Sequence, residues 1–245
     1  MEAGGIEESL ISLHEAGLNR DFRREALFTF VKRALSANGR CLDVGCGTGF
    51  MVERIADLRI NVVGIDSSEM LIEHARRRLE VKSSSAELYV SDIQNIPQYG
   101  KFDLVLCLDV IEHLEHDREA LSLLRQACLP DGKLILSVPA LSHLYGERDV
   151  MLGHFRRYDK KELLSKMTES GFKVHSCQFW NMIGVPAYWF SERVLKRSIN
   201  DGLRTGHDSG SKRLMRLVLE RWLSAEFKCP FLPWGLSLVC VSSVQ

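Results

Sequence analysis

Nowhere does this 245-residue chain approach the unbroken apolar run of about 18–20 residues that a membrane-spanning helix requires. Its first residues, Met1 to Leu18, are mixed and acidic, without the basic-then-apolar order of a secretory leader. It has no Cys-x-x-Cys pair, and its seven cysteines are an odd number, which argues against both a disulfide framework and a zinc site. Cys41, Cys107 and Cys240 lie in apolar, strand-like runs, where a thiol behaves as a small hydrophobe. Net charge is absent too, since 32 Lys and Arg balance 32 Asp and Glu. No global field then draws the chain to nucleic acid or to an anionic membrane. The tract Arg76-Arg77-Arg78 reads as a solvated face late in a helix, where cations suit the helix end. Together these absences lead us to expect a soluble, cytoplasmic protein in a reducing compartment.

What is present is ordinary for a globular chain, with 45% apolar and 26% charged residues. The length suits one large α/β domain with a small elaboration. One stretch stands out: Leu42-Asp43-Val44-Gly45-Cys46-Gly47-Thr48-Gly49. An apolar strand runs into glycines that let the backbone turn sharply and approach a ligand, and Phe50-Met51-Val52 with Ile55-Ala56 has helical spacing. Strand, glycine turn and helix opening form the first half of a nucleotide-binding crossover. A dinucleotide fingerprint fits poorly, because the third glycine comes one position early and Phe50 stands where Gly or Ala is wanted. No Gly-Lys-Ser/Thr follows, which excludes a phosphate-cradling loop. Asp43, inside the strand end, suits the cationic amino-acid end of a cofactor better than a pyrophosphate. With Asp43 included, the run resembles the first motif of the class I S-adenosylmethionine-dependent methyltransferases.

The order of the chain agrees with an alternating fold. A leading helix is expected over about residues 20–36, on the spacing of Phe22, Ala26, Leu27, Phe30 and Val31. Strands are expected at Arg40–Val44, Asn61–Ile65, Glu87–Ser91, Asp103–Leu108 and Lys133–Val138, with helices at about Phe50–Leu58, Ser68–Leu79 and Val110–Cys128. Strand alternating with helix implies right-handed crossovers and a doubly wound parallel sheet. After Pro139 comes a polar loop, then a helix over Asp159–Ser170, capped by Asp159 and stopped by Gly171, and a strand over Phe172–Phe179. Ser198–Ser211 reads as a linker, Leu214–Leu223 as a helix and Leu236–Val244 as a closing strand. The resemblance implies a Rossmann-like, seven-stranded α/β sheet whose last strand runs antiparallel, with residues 181–235 as a helical, aromatic-rich insertion in the final hairpin. Residues 1–180 and 236–245 would then be the methyltransferase domain, with 1–38 its leading segment. Trp180, Trp189, Phe190, Trp222, Phe227, Phe231 and Trp234 suit an acceptor pocket, a peripheral membrane-touching face or a plain packed subdomain.

Asp66 ends the second strand about 20 residues past the glycine turn, where a carboxylate can accept both ribose hydroxyls or cap the helix that follows; both roles can coexist. Ser67 adjoins it, and the thioether of Met70 can pack on an adenine face or in the core. The resemblance implies cofactor contacts at Asp43, Gly45, Cys46, Gly47, Asp66, Ser67, Met70, Asp92, Ile93, Leu108 and Asp109. Asp92 and Ile93 would meet the adenine, and Leu108 and Asp109 the methionine part. Asp109, Glu112 and His113 fall at i, i+3 and i+4, so on a helix they would share one face. That is a weak cluster for Mg²⁺, hydrogen bonding or capping explains the same residues, and no metal is expected.

A second series, Ser137-Val138-Pro139-Ala140-Leu141, Asp149 and Gly153-His154-Phe155-Arg156-Arg157-Tyr158, is similar to a bacterial and archaeal branch of these methyltransferases that acts on small molecules. Gly171-Phe172 continues the likeness, while Asp21-Phe22-Arg23-Arg24 departs from the branch's aromatic pair. The resemblance implies S-adenosylmethionine as cofactor, S-adenosylhomocysteine as product, and a glycan, lipid or secondary metabolite methylated on oxygen or nitrogen. A hydroxyl or ammonium acceptor needs a base; His154 is the first candidate and His113 the second. Arg156, Arg157 and Tyr158 are candidate acceptor contacts, and salt bridges from the arginines to Asp149 or Glu147 are the competing reading. A quinone-type O-methyltransferase, a protein or RNA methyltransferase and a non-catalytic cofactor-binding module are the alternatives.

Overall fold

The computed structural model describes residues 22–79, 86–190, 210–229 and 231–245. The leading residues before Phe22, most of the expected Ser198–Ser211 linker and part of the expected 181–235 insertion lie outside them.

The strands are β1 (Arg40–Val44), β2 (Asn61–Asp66), β3 (Ala86–Val90), β4 (Phe102–Leu108), β5 (Cys128–Pro139), β6 (Phe172–Trp180) and β7 (Ser237–Val244). They form one sheet in the order β3-β2-β1-β4-β5-β7-β6. β1 to β5 pair in parallel, and β7 slots antiparallel between β5 and β6. This is the Rossmann-like methyltransferase architecture that the glycine motif implied.

Both faces of the inner strands are buried, which is why these strands read as continuous apolar runs, while the edge strands β3 and β6 keep exposed positions. On one face Val105, Cys107, Leu134 and Leu136 pack with Leu121 and Leu124 of α4 (Asp117–Ala127) and Leu163 and Met167 of α6 (Lys160–Glu169). On the other, Leu104, Leu106 and Ile135 pack with α1 (Phe22–Val31), α2 (Phe50–Ala56) and α3 (Glu69–Leu79). Neighbouring residues of one strand thus enter opposite cores, as a period of two requires. Each residue such as Leu106, wholly buried, contributes on the order of 2–5 kcal/mol against truncation to Ala. All seven cysteines are free thiols.

The chain between β6 and β7 is tied into the second core. Phe227, just past α8 (Gly210–Glu226), stacks on Phe30 at 4.2 Å and on Trp180 at 5.3 Å between ring centroids. The Trp180 indole donates to the Leu223 carbonyl, 3.0 Å away, and the buried Glu226 carboxylate accepts from the Asn181 backbone at 2.6 Å. The opposite face of α8 presents Leu214, Leu217, Val218 and Trp222 to solvent. A shorter helix, α7 (Gly184–Phe190), follows β6. No helix among the described residues is long and apolar enough to cross a membrane.

Several boundaries differ from the sequence expectation. The helix expected over Val110–Cys128 is broken: a 3₁₀ turn covers Ile111–His113, Leu114 is extended, and α4 starts only at Asp117. The cause is Asp109, held in the left-handed region at φ 56°, which sends the chain out of β4 at an angle no continuous helix follows. Asp109, Glu112 and His113 therefore do not share one face of an α-helix. The loop expected after Pro139 contains α5 (Glu147–Met151), and Gly210 and Ser211, assigned to a linker, begin α8. Asp159 precedes α6 without capping it, because its carboxylate accepts from the Ser142 hydroxyl at 2.6 Å.

Candidate functional site

Strand order reverses between β1 and β4, whose carboxyl ends lead in opposite directions and leave a crevice. The glycine turn lies at its lip. Gly45, Gly47 and Gly49 all have positive φ, at 70°, 53° and 76°. A Cβ on Gly45 would stand 2.4 Å from the Val110 side chain, so that position also requires the smallest residue. A Cβ on Gly47 would meet nothing within 4 Å, so its backbone borders open space. Gly45 and Cys46 donate to the Ile65 carbonyl at 2.8 and 3.0 Å, anchoring the turn to β2.

Asp66 closes β2 and holds the turn from the other side. One carboxylate oxygen accepts from the Gly47 amide at 2.8 Å and the other from the Ser68 amide at 2.9 Å. A carboxylate offers about four acceptor positions, so the helix-opening and ribose-binding roles are compatible. Asp43 is buried beneath the turn. Burial, then the charge of Asp66, raises its carboxyl to about 7 against the opposing pull of the Arg24 guanidinium. A cation arriving beside it would restore its charge.

These groups line a cleft of about 580 Å³. Asp43, Gly45, Cys46, Gly47, Asp66, Ser67, Asp92, Ile93, Leu108 and Asp109 border it, as does His113. Asp92 also accepts from the Gln94 amide at 2.9 Å, opening the 3₁₀ turn after β3. Met70 does not line the cleft; its neighbour Leu71 does. Sequence reasoning missed Arg24 and Leu27 from α1 and Leu152 from the loop after β5. It also passed over Thr48 inside the motif. The Thr48 Oγ1 is buried without a hydrogen-bond partner among the described residues. A donor left unpaired in a pocket beside backbone amides suits an anionic group, and Asp43 opposite suits a cationic one. Together they match the charges of an amino-acid zwitterion, so the residues present fit S-adenosylmethionine.

At the end of β4, Asp109 accepts from the Ser137 hydroxyl at 2.6 Å, and its amide donates to the Ser137 carbonyl at 2.9 Å. Three residues on, Glu112 is buried with neither carboxylate oxygen paired among the described residues. Burial, and then the charge of Asp109, pushes its carboxyl well up. The Glu112 carbonyl accepts from the Phe155 amide at 2.7 Å, which joins this turn to the loop after β5. That bond brings His113 and His154 together, edge to face, with ring centroids 4.7 Å apart. Burial, then His154, lowers the pKa of His113, while its hydrogen bond to the Gly153 backbone opposes the shift.

His154 is fixed from behind. Its Nδ1 lies 2.9 Å from Asp149, a wholly buried carboxylate whose two oxygens share the Arg157 Nε–H, each 2.8 Å from that nitrogen. Tyr188 donates to the same carboxylate at 3.2 Å. Burial alone would raise Asp149, but the bonds from His154 and Arg157 outweigh it and hold the carboxyl at about 2. His154, Arg156, Arg157 and Tyr158 do not line the cleft. Arg157 is buried on Asp149, Tyr158 is buried and donates to Asp117 at 2.9 Å, and Arg156 donates to the Glu115 carbonyl at 2.8 Å.

Comparisons with known proteins agree with this geometry. The methyltransferase domain family matches residues 19–177, well over half of the chain. The mitochondrial ubiquinone biosynthesis O-methyltransferase of Schizosaccharomyces pombe is 32% identical over 120 residues, 48% of this chain and 43% of that protein. The matched region spans less than half the length of that relative. A TehB-like SAM-dependent methyltransferase from Corynebacterium glutamicum superimposes with a TM-score of 0.56 at 17% identity, covering 90% of this chain and 87% of that one. The [4+2]-cyclase SpnF superimposes at 0.61 and 18% identity, covering 90% and 81%. These last two establish the fold alone, and a cyclase among them shows that the fold does not by itself fix the reaction. On the family match, the chain belongs to the methyltransferase domain family.

Proposed function

We propose that this chain is an S-adenosylmethionine-dependent methyltransferase that methylates a hydroxyl oxygen of a small-molecule acceptor and releases S-adenosylhomocysteine. The observation that carries this reading is the meeting of two chemistries at one cleft. The glycine turn with Asp43, Thr48 and Asp66 suits the cofactor, and His113, backed by His154, adjoins it. The S. pombe relative, named for O-methylation in ubiquinone biosynthesis, supports oxygen over nitrogen and keeps a quinol-type phenol among the acceptors.

In this reading Asp43 meets the cofactor ammonium, Thr48 its carboxylate, Asp66 the ribose hydroxyls, and Asp92 with Ile93 the adenine. Bound there, S-adenosylmethionine supplies an electrophilic methyl carbon on a sulfonium. The acceptor oxygen forms the new bond to that carbon as the carbon–sulfur bond breaks and its electron pair returns to sulfur. The protein aligns the two and removes the hydroxyl proton. With Nδ1 of His154 held by Asp149, its Nε2 is the proton acceptor, and His113 positions the hydroxyl. Arg157 and Tyr158, bonded within the protein, support the loop that carries His154. Alignment of this kind supplies several kcal/mol, and a positioned base about 10²–10⁴-fold in rate. Peripheral contact with a membrane holding a lipid-soluble acceptor would use the exposed apolar face of α8.

The test is a transfer screen with phenols, catechols, sugars and amines that reads S-adenosylhomocysteine formation. Turnover on a hydroxyl acceptor supports the reading. Turnover confined to amines removes the oxygen assignment, and tight cofactor binding without any turnover favours a binding module.

A further inference from the structure

We propose that Cys177 and Cys240 form a modification site, a pair of thiols that hydrogen peroxide oxidises to a reversible disulfide between β6 and β7. The two residues stand directly opposite each other in the antiparallel pairing of these strands. Their side chains share one face of the sheet, Cys240 inside the core that holds Leu134 and Leu136 and Cys177 packed against it. Directly opposed antiparallel residues have Cα atoms about 4.5–5.5 Å apart, within the roughly 4.4–6.8 Å that disulfides span. A local irregularity creates the pairing. The register shifts by one residue between Val174 and Ser176, and without that shift Cys177 would stand opposite Val239.

Access and environment separate this pair from the other thiols. β6 is an edge strand, with His175 and Ser176 exposed beside a half-buried Cys177, whereas Cys240 is wholly buried. A small oxidant therefore meets Cys177 first and leaves Cys240 to react second. The Cys240 thiol donates a hydrogen bond to the Cys177 sulfur, which outweighs burial and lowers the Cys177 pKa, and Lys160 at the start of α6 pulls the same way. The same bond, and then burial, pushes the Cys240 thiol well up. Burial pushes up the thiols of Cys41, Cys46, Cys107 and Cys128, which stay protonated and unreactive. A partly exposed, acidified thiol beside a second thiol is the arrangement of a peroxide-sensitive cysteine and its resolving partner.

One peroxide suffices. The Cys177 thiolate attacks a peroxide oxygen, so that an S–O bond forms, the O–O bond breaks and the departing hydroxide takes up a proton to become water. Cys240 then attacks the sulfenic sulfur of Cys177. The S–S bond forms, the S–O bond breaks, and a second water leaves with the Cys240 proton. Two thiols have lost two electrons and two protons, and a dithiol reductant restores them by exchange. Neither cysteine lines the cofactor cleft. The linkage instead joins the two strands between which α7 and α8 lie, closing a long loop that the unfolded chain would otherwise explore freely. Its effect is a clamp on the sheet edge, and it is independent of the methyl-transfer reading.

The experiment treats the natively folded full chain with hydrogen peroxide, alkylates the remaining thiols and maps the peptides by mass without reductant. We expect a peptide pair joined through Cys177 and Cys240, which a dithiol reductant separates. In Cys240→Ala the Cys177 sulfenic acid should persist and be captured by dimedone, and Cys177→Ser should leave Cys240 reduced. The wild-type map needs neither variant, so it decides the matter if either fails to fold. The oxidised protein should also unfold several degrees above the reduced one. Cys229 is exposed and serves as the internal control. Cys177 and Cys240 still alkylated at a peroxide dose that oxidises Cys229, or Cys177 carried to sulfonic acid without a link, overturns the proposal. A link that leaves the unfolding midpoint unchanged overturns the clamp while the modification site stands.

Discussion

Nδ1 of His154 lies 2.9 Å from the fully buried carboxylate of Asp149, which Arg157 holds from the other side. A carboxylate so placed fixes the ring's orientation and favours the tautomer with Nδ1 protonated, leaving Nε2 as the nitrogen that the proposed mechanism uses. Asp149→Asn should keep the shape but lose the tautomer control, lowering turnover by 10²-fold or more. It also leaves Arg157 buried without its counter-ion, at a cost of about 3–5 kcal/mol. Steady-state kinetics beside thermal unfolding separates the two effects. Loss of stability alone, with turnover intact, would make Asp149 a purely structural residue.

Asp66 is expected to carry much of the cofactor affinity. Asp66→Ala should weaken S-adenosylmethionine binding by on the order of 2–3 kcal/mol, roughly 30- to 150-fold, by calorimetry. Asp66→Asn keeps one acceptor oxygen for the Gly47 or Ser68 amide and should fall between. Unchanged affinity in the Ala variant would refute the ribose assignment.

Cofactor binding should depend on pH through Asp43, whose carboxyl burial raises to about 7. Between its unfolded value near 4 and about 7, the folded chain holds a proton that the unfolded chain has released, so this group's contribution to stability falls as pH rises. A cationic ammonium binds the ionised form. Affinity should therefore rise about tenfold per unit up to pH about 7 and then level. Asp43→Asn should flatten that profile and weaken binding at pH 8. A flat wild-type profile would show that Asp43 does not meet the ammonium.

Phe227 couples the chain after α8 to the cleft, because it stacks between Trp180 and Phe30 of the helix that carries Arg24 and Leu27. Phe227→Ala should cost about 3–5 kcal/mol and loosen α1, reducing cofactor affinity severalfold. Val218→Ser, on the exposed face of the neighbouring helix, should stay within about 0.5 kcal/mol. Denaturant unfolding and cofactor titration of both variants check the contrast.

The inner strands were legible in the sequence because both their faces are buried, so β1, β2, β4 and β5 stand out as apolar runs punctuated by glycine and acid. The order β5-β7-β6 came from the resemblance, since no local pattern shows which strands pair. The broken helix after β4 was hidden, because the periodicity of Val110, Ile111 and Leu114 cannot reveal that Asp109 is left-handed. The acids that line the cleft were readable from their places at strand ends. The union of Glu112 and His113 with His154 was not, because it depends on the Phe155 amide reaching the Glu112 carbonyl across two loops. Arg24 and Leu27 belong to a helix whose apolar spacing speaks only of packing, and nothing local marks them as cleft residues.

The most direct test of the central claim is transfer of a labelled methyl group from S-adenosylmethionine to hydroxyl acceptors by wild type and His154→Ala, with cofactor affinity measured on the same samples. The account predicts transfer by the wild type and a fall of about 10²–10⁴-fold in the variant at unchanged affinity. Full activity in His154→Ala, or no transfer to any hydroxyl by a wild-type protein saturated with cofactor, would contradict it.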